Sequence, residues 1–131
     1  MKTQGKVSLV VGSMLITYFL SAAMAESVGT KDLVGKKICW VLSAASYNPP
    51  VSSSTSTYSA GGKYYDTYWG AGTFTVTAQG FHAVTGIGIL DAQIEKLPDG
   101  TFKSTAVCSA QGNCEAGRGG PTFVSTGRYC K

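Results

Sequence analysis

The residues with the most definite chemistry in this chain are its four cysteines, Cys39, Cys108, Cys114 and Cys130. Thiols form disulfides or bind zinc, and spacing and partner residues decide between the two. Zinc is disfavoured because no two cysteines occur in a C-x-x-C motif and His82 is the only histidine. An even number of cysteines in an exported chain is typical of a disulfide framework, and four cysteines allow three pairings. We therefore predict two disulfides and no metal.

Histidine-dependent hydrolysis would have to use His82, because the chain has no other histidine to act as a general base. His82 directly follows a turn, in the segment GFHAVTG, and no G-x-S-x-G motif accompanies it. A structural histidine on a strand is the simpler interpretation. We predict no catalytic residues and no enzymatic activity.

The acidic residues do not form an obvious catalytic pair. Asp91 and Glu95 would lie about 13 Å apart along one strand, beyond the roughly 5–9.5 Å that separates the carboxylates of a glycosidase. Asp66, in KYYDTYW, has the most aromatic surroundings of any acid in the chain. We predict that it faces solvent from a strand.

Glycine motifs and charge argue against nucleotides and nucleic acids. The segments TGIGIL and GAGT lack the second half of a dinucleotide fingerprint, and no helix follows them, so we expect no cofactor. Lys2 and Lys6 belong to a predicted secretory leader at 1–25, and without them the basic residues fall from 11 to 9 (11 − 2) against 7 acids, a net charge near +2. That charge is too small to indicate a nucleic-acid surface.

A segment rich in aromatic residues is the best candidate for a binding surface. This aromatic segment, YSAGGKYYDTYWGAGTF, contains four tyrosines and one tryptophan, together with the adjacent glycines Gly61 and Gly62. Aromatic side chains are frequent at interfaces, but alternation along a strand sends about half of them into the core. Both interpretations stay open. The candidate binding residues within the segment are Tyr64, Tyr65, Tyr68 and Trp69.

The N-terminus resembles a secretory leader over residues 1–25. Two early lysines precede an apolar run at 7–20, and Ala23 and Ala25 satisfy the A-x-A rule for cleavage. The apolar run is shorter than the roughly 20 residues that span a bilayer, which disfavours a retained anchor. Glu26, where a lipid anchor would require cysteine, disfavours lipidation. We expect a periplasmic or secreted protein with no membrane contact after cleavage.

The remaining chain, 26–131, predicts a single all-β domain with short strands. Apolar residues alternate in KKICWVLS, which places Ile38, Trp40 and Leu42 on one face, and similarly in LDAQIEK and TFKSTAVC. The prolines and serines of ASYNPPVSSSTST predict a long loop at 44–57. The predicted strands lie around 36–43, 63–69, 72–78, 81–86, 88–96, 101–108 and 121–130, with a weak one at 56–59.

Turn signals join these strands into an antiparallel meander. The segment LPDGTF combines Pro98, Asp99 and Gly100, and further hairpins are expected at Gly61-Gly62 and Gln79-Gly80. A small sheet of this kind avoids free edges by closing into a barrel of seven or eight strands.

Closure of the barrel gives a prediction for the disulfides. The first strand must then pair with the last, which brings Cys39 near Cys130. Cys108 and Cys114 bracket the short segment SAQGN and would form the second disulfide.

Two family resemblances accompany this architecture. The segments GKKICW, STYSAGGKYYDTYWGAGTFTV, KLPDGTF and GRYC resemble small uncharacterised exported β-domain proteins of Gram-negative bacteria, which share a G-K-x-[IV]-C-W opening. This resemblance covers most of the mature chain and implies architecture only.

A narrower resemblance carries a functional expectation. SAGGKYYDTYWGAG is similar to the S-x-S-G-x-[KR]-Y…W-x-K-G centre of periplasmic C-type lysozyme inhibitors, which are small disulfide-bearing β-barrels. That family presents a serine and a lysine to the lysozyme active site, which implies Ser59 and Lys63 as binding residues here. The chain departs from the pattern in the short gap between Tyr64 and Trp69 and in Ala71, where a lysine is expected.

Three classes of function follow, and we expect the first. An exported monomeric module that binds a protein partner, for example as an inhibitor of a cell-wall hydrolase, predicts a solvent-facing aromatic segment and Lys63. A lipocalin-like carrier of a small apolar ligand predicts an apolar cavity lined by Trp40 and Trp69. An enzyme predicts a cleft with an acid within hydrogen-bond reach of His82. A purely structural envelope protein is a further alternative.

Overall fold

The computed structural model describes residues 25–46, 51–109 and 122–131, and regular structure in these ranges is almost entirely β. One short helix, α1 (Thr30–Leu33), lies near the start of the described chain. The strands in the described ranges are β1 (Glu26–Ser27), β2 (Lys36–Ala45), β3 (Ser53–Ser59), β4 (Lys63–Asp66), β5 (Gly70–Thr77), β6 (Gly80–Thr85), β7 (Ile89–Lys96), β8 (Phe102–Ser109) and β9 (Thr122–Tyr129).

Strands β2 to β9 form a closed antiparallel barrel. Each of them pairs with the next along the chain, and β9 returns to pair with β2, with Ile38 opposite Tyr129 and Ala45 opposite Phe123. The two-residue β1 is an extra strand that pairs with the last residues of β7, beyond the part that pairs with β6. The structure confirms the predicted all-β barrel.

Alternation along the strands separates the core from the surface, as the sequence predicted. Ile38 and Trp40 of β2 point inward and are buried, and Leu90, Ala92 and Ile94 of β7 do the same. The residues between them on β7 are exposed. The interior of the barrel is therefore the hydrophobic core of the domain.

The predicted hairpin turns are present, and their glycines have the conformation that such turns require. Gly61 and Gly62 between β3 and β4 have φ of 81° and 74°, and Gly100 between β7 and β8 has φ of 87°. Asp99 Oδ1 accepts hydrogen bonds from the hydroxyl and the backbone N of Thr101, at 2.6 and 2.9 Å. These bonds, the hydroxyl first, hold the pKa of Asp99 below its usual value.

The predicted loop at 44–57 is too long. β2 continues to Ala45, and β3 begins at Ser53. The serine and threonine residues of β3 pair with β2 on one side and β4 on the other, so the sheet satisfies their backbone hydrogen bonds. Residues 47–50, which include the two prolines, lie outside the described ranges.

The predicted strand at 63–69 ends early, at Asp66. The next three residues turn the chain into β5, and Gly70 at the start of β5 has φ of 82°. The weak strand predicted at 56–59 is the second half of β3.

The segment before β2 covers one end of the barrel, which we call the closed end. Val28 and Leu33 are buried there. The Tyr129 hydroxyl donates a hydrogen bond to the backbone oxygen of Asp32 at 2.8 Å, and Lys96 Nζ lies 3.8 Å from Asp32 Oδ1. These contacts attach the segment to the ends of β7 and β9.

The disulfide predicted to fasten the barrel is present. Cys39 of β2 is bonded to Cys130, directly after β9, with the two Cα atoms 5.3 Å apart. Cys108 is also disulfide-bonded, but its predicted partner Cys114 lies outside the described residues. A disulfide fits a protein of an oxidising compartment outside the cytoplasm.

The predicted leader at 1–25 falls outside the described residues except for its last position. Among the helices that are described, none has the length and apolar character needed to cross a membrane.

Candidate functional site

Alternation divides the aromatic segment between core and surface. Tyr58 and Tyr64 are Cα partners on β3 and β4, and both point into the barrel, where they are 2% and 6% exposed. Tyr65, the next residue along β4, points outward and is 52% exposed. The core interpretation therefore holds for Tyr58 and Tyr64, whereas Tyr65 is exposed and its role in binding stays a prediction.

Three of the candidate binding residues share the outer surface of the β3–β4 hairpin. Ser59 and Lys63 are Cα partners next to the turn, and both are exposed. Tyr65 follows Lys63 on the same side of β4, opposite Thr57 of β3. In the described residues no carboxylate forms an ion pair with Lys63. We call Ser59, Lys63 and Tyr65 the hairpin face.

Asp66 corrects a prediction, because it faces the interior and is only 1% exposed. Its Oδ2 accepts hydrogen bonds from the hydroxyls of Ser54 and Ser56, at 3.1 and 2.5 Å. Its Oδ1 accepts from the backbone N of Tyr68 and of Trp69, at 2.8 and 3.1 Å. These four donors replace the water that a carboxylate loses on burial, so an inward position is tolerated.

The two backbone bonds to Asp66 fix the turn that carries the last two candidate residues, Tyr68 and Trp69. Their rings contact each other edge to face, with centroids 4.9 Å apart. Trp69 is buried and stacks on Phe123 of β9, with centroids 5.9 Å apart, whereas Tyr68 is half-buried. This turn lies at the end of the barrel opposite the closed end. We call this opposite end the mouth.

A cavity of about 60 Å³ lies inside the barrel on the mouth side. A second hollow of about 50 Å³ adjoins it toward the mouth and shares Trp40 and Trp69 with it. The aromatic lining of the cavity consists of Trp40, Tyr58, Tyr64, Trp69, Phe81 and Phe123. Its polar lining consists of Asp66 and of the serines Ser54, Ser56, Ser104 and Ser125.

None of these serines is among the site residues predicted from the sequence. A signal was present, because Ser56 alternates with the aromatic Tyr58 and Ser104 alternates with Phe102 and Ala106. A serine at an inward position of a strand indicates a polar part of the core. Its hydroxyl then needs a partner there, and Asp66 is that partner for Ser56.

The two buried tyrosines titrate well outside the ordinary range. Burial is the main cause that raises the pKa of Tyr58 to about 12, and the negative charge of Asp66 adds to it. Burial also raises the pKa of Tyr64, again with a contribution from Asp66. Both phenols are therefore neutral at physiological pH and can donate hydrogen bonds inside the barrel.

His82 lies on the outer surface, as predicted for a structural histidine. Its Nδ1 is 2.7 Å from Asp91 Oδ1 on the neighbouring β7, and the side chains are 46% and 57% exposed. The pair lines an outer groove of about 360 Å³. No hydroxyl or thiol of the described chain is hydrogen-bonded to His82. Nor do the described residues contain a group of three metal-ligating side chains.

Fold and site together define a small disulfide-bonded antiparallel barrel with an exposed hairpin face and a partly polar internal cavity. Comparison of the chain with protein-family models, with curated proteins and with solved structures returns no match. The two family resemblances therefore stay predictions.

Proposed function

We propose that this protein is a binding module that engages a protein partner through its hairpin face and acts without catalysis. The observation that carries the proposal is the placement of Ser59, Lys63 and Tyr65 side by side and exposed on the β3–β4 hairpin of the barrel. The specific partner that the narrower resemblance implies is a lysozyme-type cell-wall hydrolase.

The chemistry of the hairpin face suits a partner that presents carboxylates. The Lys63 ammonium is a point charge with three donors, and the hydroxyls of Ser59 and Tyr65 add shorter-range donors beside it. Retaining and inverting glycosidases both place a pair of carboxylates at the active site. An exposed tyrosine also supplies contact area at small entropic cost, which is typical of residues that dominate binding energy.

The carrier alternative is less well supported by the cavity. A cavity lined by Trp40 and Trp69 exists, but its volume of about 60 Å³ is far below the roughly 300–1,000 Å³ of ordinary ligand pockets. Part of its lining is polar, whereas an apolar ligand requires an apolar lining. The structure thus favours partner binding over transport of an apolar molecule.

The enzyme alternative is supported only in part. An acid, Asp91, does lie within hydrogen-bond reach of His82 and orients its ring. A histidine and an acid alone do not form a nucleophilic site, which also needs an activated hydroxyl or thiol and a place for the developing oxyanion. The pair is also open to solvent, where an ionic contact of this kind contributes little.

The test is inhibition of a C-type lysozyme in a bacterial lysis assay. We expect the protein in excess to slow lysis, and we expect Lys63→Ala to weaken inhibition about tenfold or more, the loss typical of a dominant interface residue. Tyr65→Ala should also weaken it. Lys103→Ala is the matched control, because Lys103 is an exposed strand lysine on β8, away from the hairpin.

Two results would contradict the proposal. A lysis rate that excess protein leaves untouched would remove the lysozyme-type hydrolase as partner. Equal losses for Lys63→Ala and Lys103→Ala would show a general effect of charge and would remove the hairpin face as the binding surface.

A further inference from the structure

The carboxylate of Asp66 is a buried negative charge that no positive charge balances. It is 1% exposed, and its four hydrogen-bond donors are all neutral: two serine hydroxyls and two backbone N–H groups. The ion pairs of the described residues involve other acids, Asp32 and Asp91. The four donors fill the hydrogen-bonding positions of the carboxylate but do not neutralise its charge. The surrounding interior therefore has a negative potential.

The serines beside Asp66 carry this polarity to the wall of the cavity. Ser54 and Ser56 each have one hydroxyl proton, and each donates it to Asp66 Oδ2. The lone pairs of both oxygens remain as acceptors, and both residues line the cavity. At Ser56 one lone pair faces the Tyr64 hydroxyl at 3.4 Å, so Ser54 has the freer oxygen. A molecule in this cavity therefore meets hydrogen-bond acceptors and needs to be a donor.

The remaining lining also favours a cation. Trp40, Trp69 and Phe123 present aromatic rings to the cavity, and the faces of aromatic rings attract positive charge, most strongly for tryptophan. A metal ion fits less well than an ammonium group, because all four lone-pair positions of the Asp66 carboxylate are already occupied by donors. An ammonium group needs only acceptors and rings.

We propose that the internal cavity binds the ammonium group of a small primary amine, with any short tail directed toward Trp69 at the mouth. The volume of about 60 Å³, against the roughly 10–15 Å³ of cavity that one water needs, holds a group of only a few non-hydrogen atoms. The adjoining hollow of about 50 Å³ provides space for a short tail. Larger quaternary ammonium ions are excluded by size.

This site is separate from the hairpin face. The hairpin face lies on the outside of the barrel, whereas the cavity lies inside it, so a failure of one proposal leaves the other intact. Lys63→Ala serves as a control that should leave amine binding unchanged.

The experiment is a titration of the folded protein with ethylammonium chloride, followed by tryptophan fluorescence and calorimetry. Trp40 and Trp69, the only tryptophans in the chain, both line the cavity, so occupation should change their emission. We expect a saturable response to ethylammonium but none to sodium chloride, to ethanol or to tetraethylammonium. Sodium chloride tests for an effect of ionic strength, ethanol tests whether the positive charge is needed, and tetraethylammonium tests the size limit of the cavity. No saturable response to ethylammonium, or an equal response to any of the three, would overturn the proposal.

Two variants locate the site. Asp66→Asn removes the charge, and Ser125→Leu fills the cavity from β9, a strand that supplies none of the hydrogen bonds to Asp66. Both should weaken ethylammonium binding about tenfold or more, while Asp91→Asn, which removes an exposed acid, should leave it unchanged. If Asp66→Asn does not fold, Ser125→Leu decides the question. Wild-type binding by a folded Asp66→Asn or by Ser125→Leu would overturn the proposal.

Discussion

Tyr64 and Tyr65 are adjacent in the chain, yet the pleat of β4 gives them opposite environments. Tyr64 packs in the core against Tyr58 and Phe81, with ring centroids 5.5 and 5.9 Å away. Tyr65 remains 52% exposed on the hairpin face. A shift of the strand by one residue would exchange the two side chains, so the same register that builds the core also builds the proposed binding surface.

The buried phenol of Tyr58 makes the stability of the protein dependent on alkaline pH. Its pKa is about 12 in the folded state and 10.0 for a free side chain. Above pH 10 the unfolded chain releases this proton while the folded protein retains it, so the unfolded state is favoured progressively up to about pH 12. The free energy of unfolding should therefore fall over this window, by up to about 3 kcal/mol from Tyr58 alone.

Urea denaturation at several pH values between 10 and 12 measures this effect. Tyr58→Phe keeps the ring and removes the titrating group, so its stability should fall less steeply over the same range. Equal slopes for the wild type and the variant would contradict the prediction.

Asp66 shows where sequence reasoning fails at the scale of the residue. The alternation of KYYD places Asp66 on the same side as Tyr64, but an acid is normally assigned to the solvent side. The partners that make burial tolerable come from β3 and from the following turn. The alternation of Ser56 with Tyr58 indicates that Ser56 points inward, but it does not indicate that Ser56 is hydrogen-bonded to Asp66. The prediction was wrong because compensation between distant residues is not visible in a local pattern.

At the scale of elements, the pairing of β2 with β9 depends on a residue without a side chain. Gly127 lies opposite Trp40 on β2 and opposite Phe102 on β8. A Cβ atom at Gly127 would lie 2.6 Å from the Trp40 ring and 2.9 Å from a methyl group of Ile38. Glycine is therefore required there by packing.

Gly127→Ala should destabilise the protein by about 1–3 kcal/mol, because the extra methyl overpacks the junction of β2 and β9, which we call the seam of the barrel. It should also change tryptophan fluorescence, since the Trp40 ring must move. Gly86→Ala is the control, because a Cβ at Gly86 meets nothing within 4 Å. Equal stability of the two variants, measured by urea denaturation, would show that the seam adapts to the extra volume.

Most of the strands could be predicted from the sequence because their signals are local. Alternation in LDAQIEK and the turn residues around Gly100 are contained within a few positions, and β7 and β8 follow the prediction closely. The predicted strand at 56–59 is shorter than β3, because the serines at the start of β3 resemble a solvated loop. Its strand conformation depends on ladders to β2 and β4, which are tertiary contacts.

At the scale of the whole molecule, closure of the sheet solves the problem of exposed edges. Consecutive hairpins account for seven of the barrel's pairings, from β2–β3 to β8–β9, but the eighth, between β9 and β2, joins the two ends of the barrel sequence. That pairing could be predicted because a closed sheet leaves no free edge, and the pairing in turn predicted that Cys39 lies near Cys130. The lining of the cavity could not be predicted, because it depends on which inward residues meet once the barrel has closed.

The Cys39–Cys130 disulfide should contribute much of the stability of this small domain. The two cysteines are 91 positions apart, so the cross-link restricts nearly the whole unfolded barrel. The chain-entropy model gives about 4.6 kcal/mol for a loop of this length. We expect the double variant Cys39→Ala/Cys130→Ala to lose stability of this order in urea denaturation.

The double variant isolates this disulfide, whereas a reducing agent would also act on the disulfide of Cys108. Its urea m-value should rise, because an unfolded chain without the cross-link is more expanded and exposes more surface. The wild type under the same oxidising conditions is the reference. A loss below about 1 kcal/mol with an unchanged m-value would contradict the prediction. It would mean that strand pairing alone, from Ile38–Tyr129 to Ala45–Phe123, keeps the barrel closed.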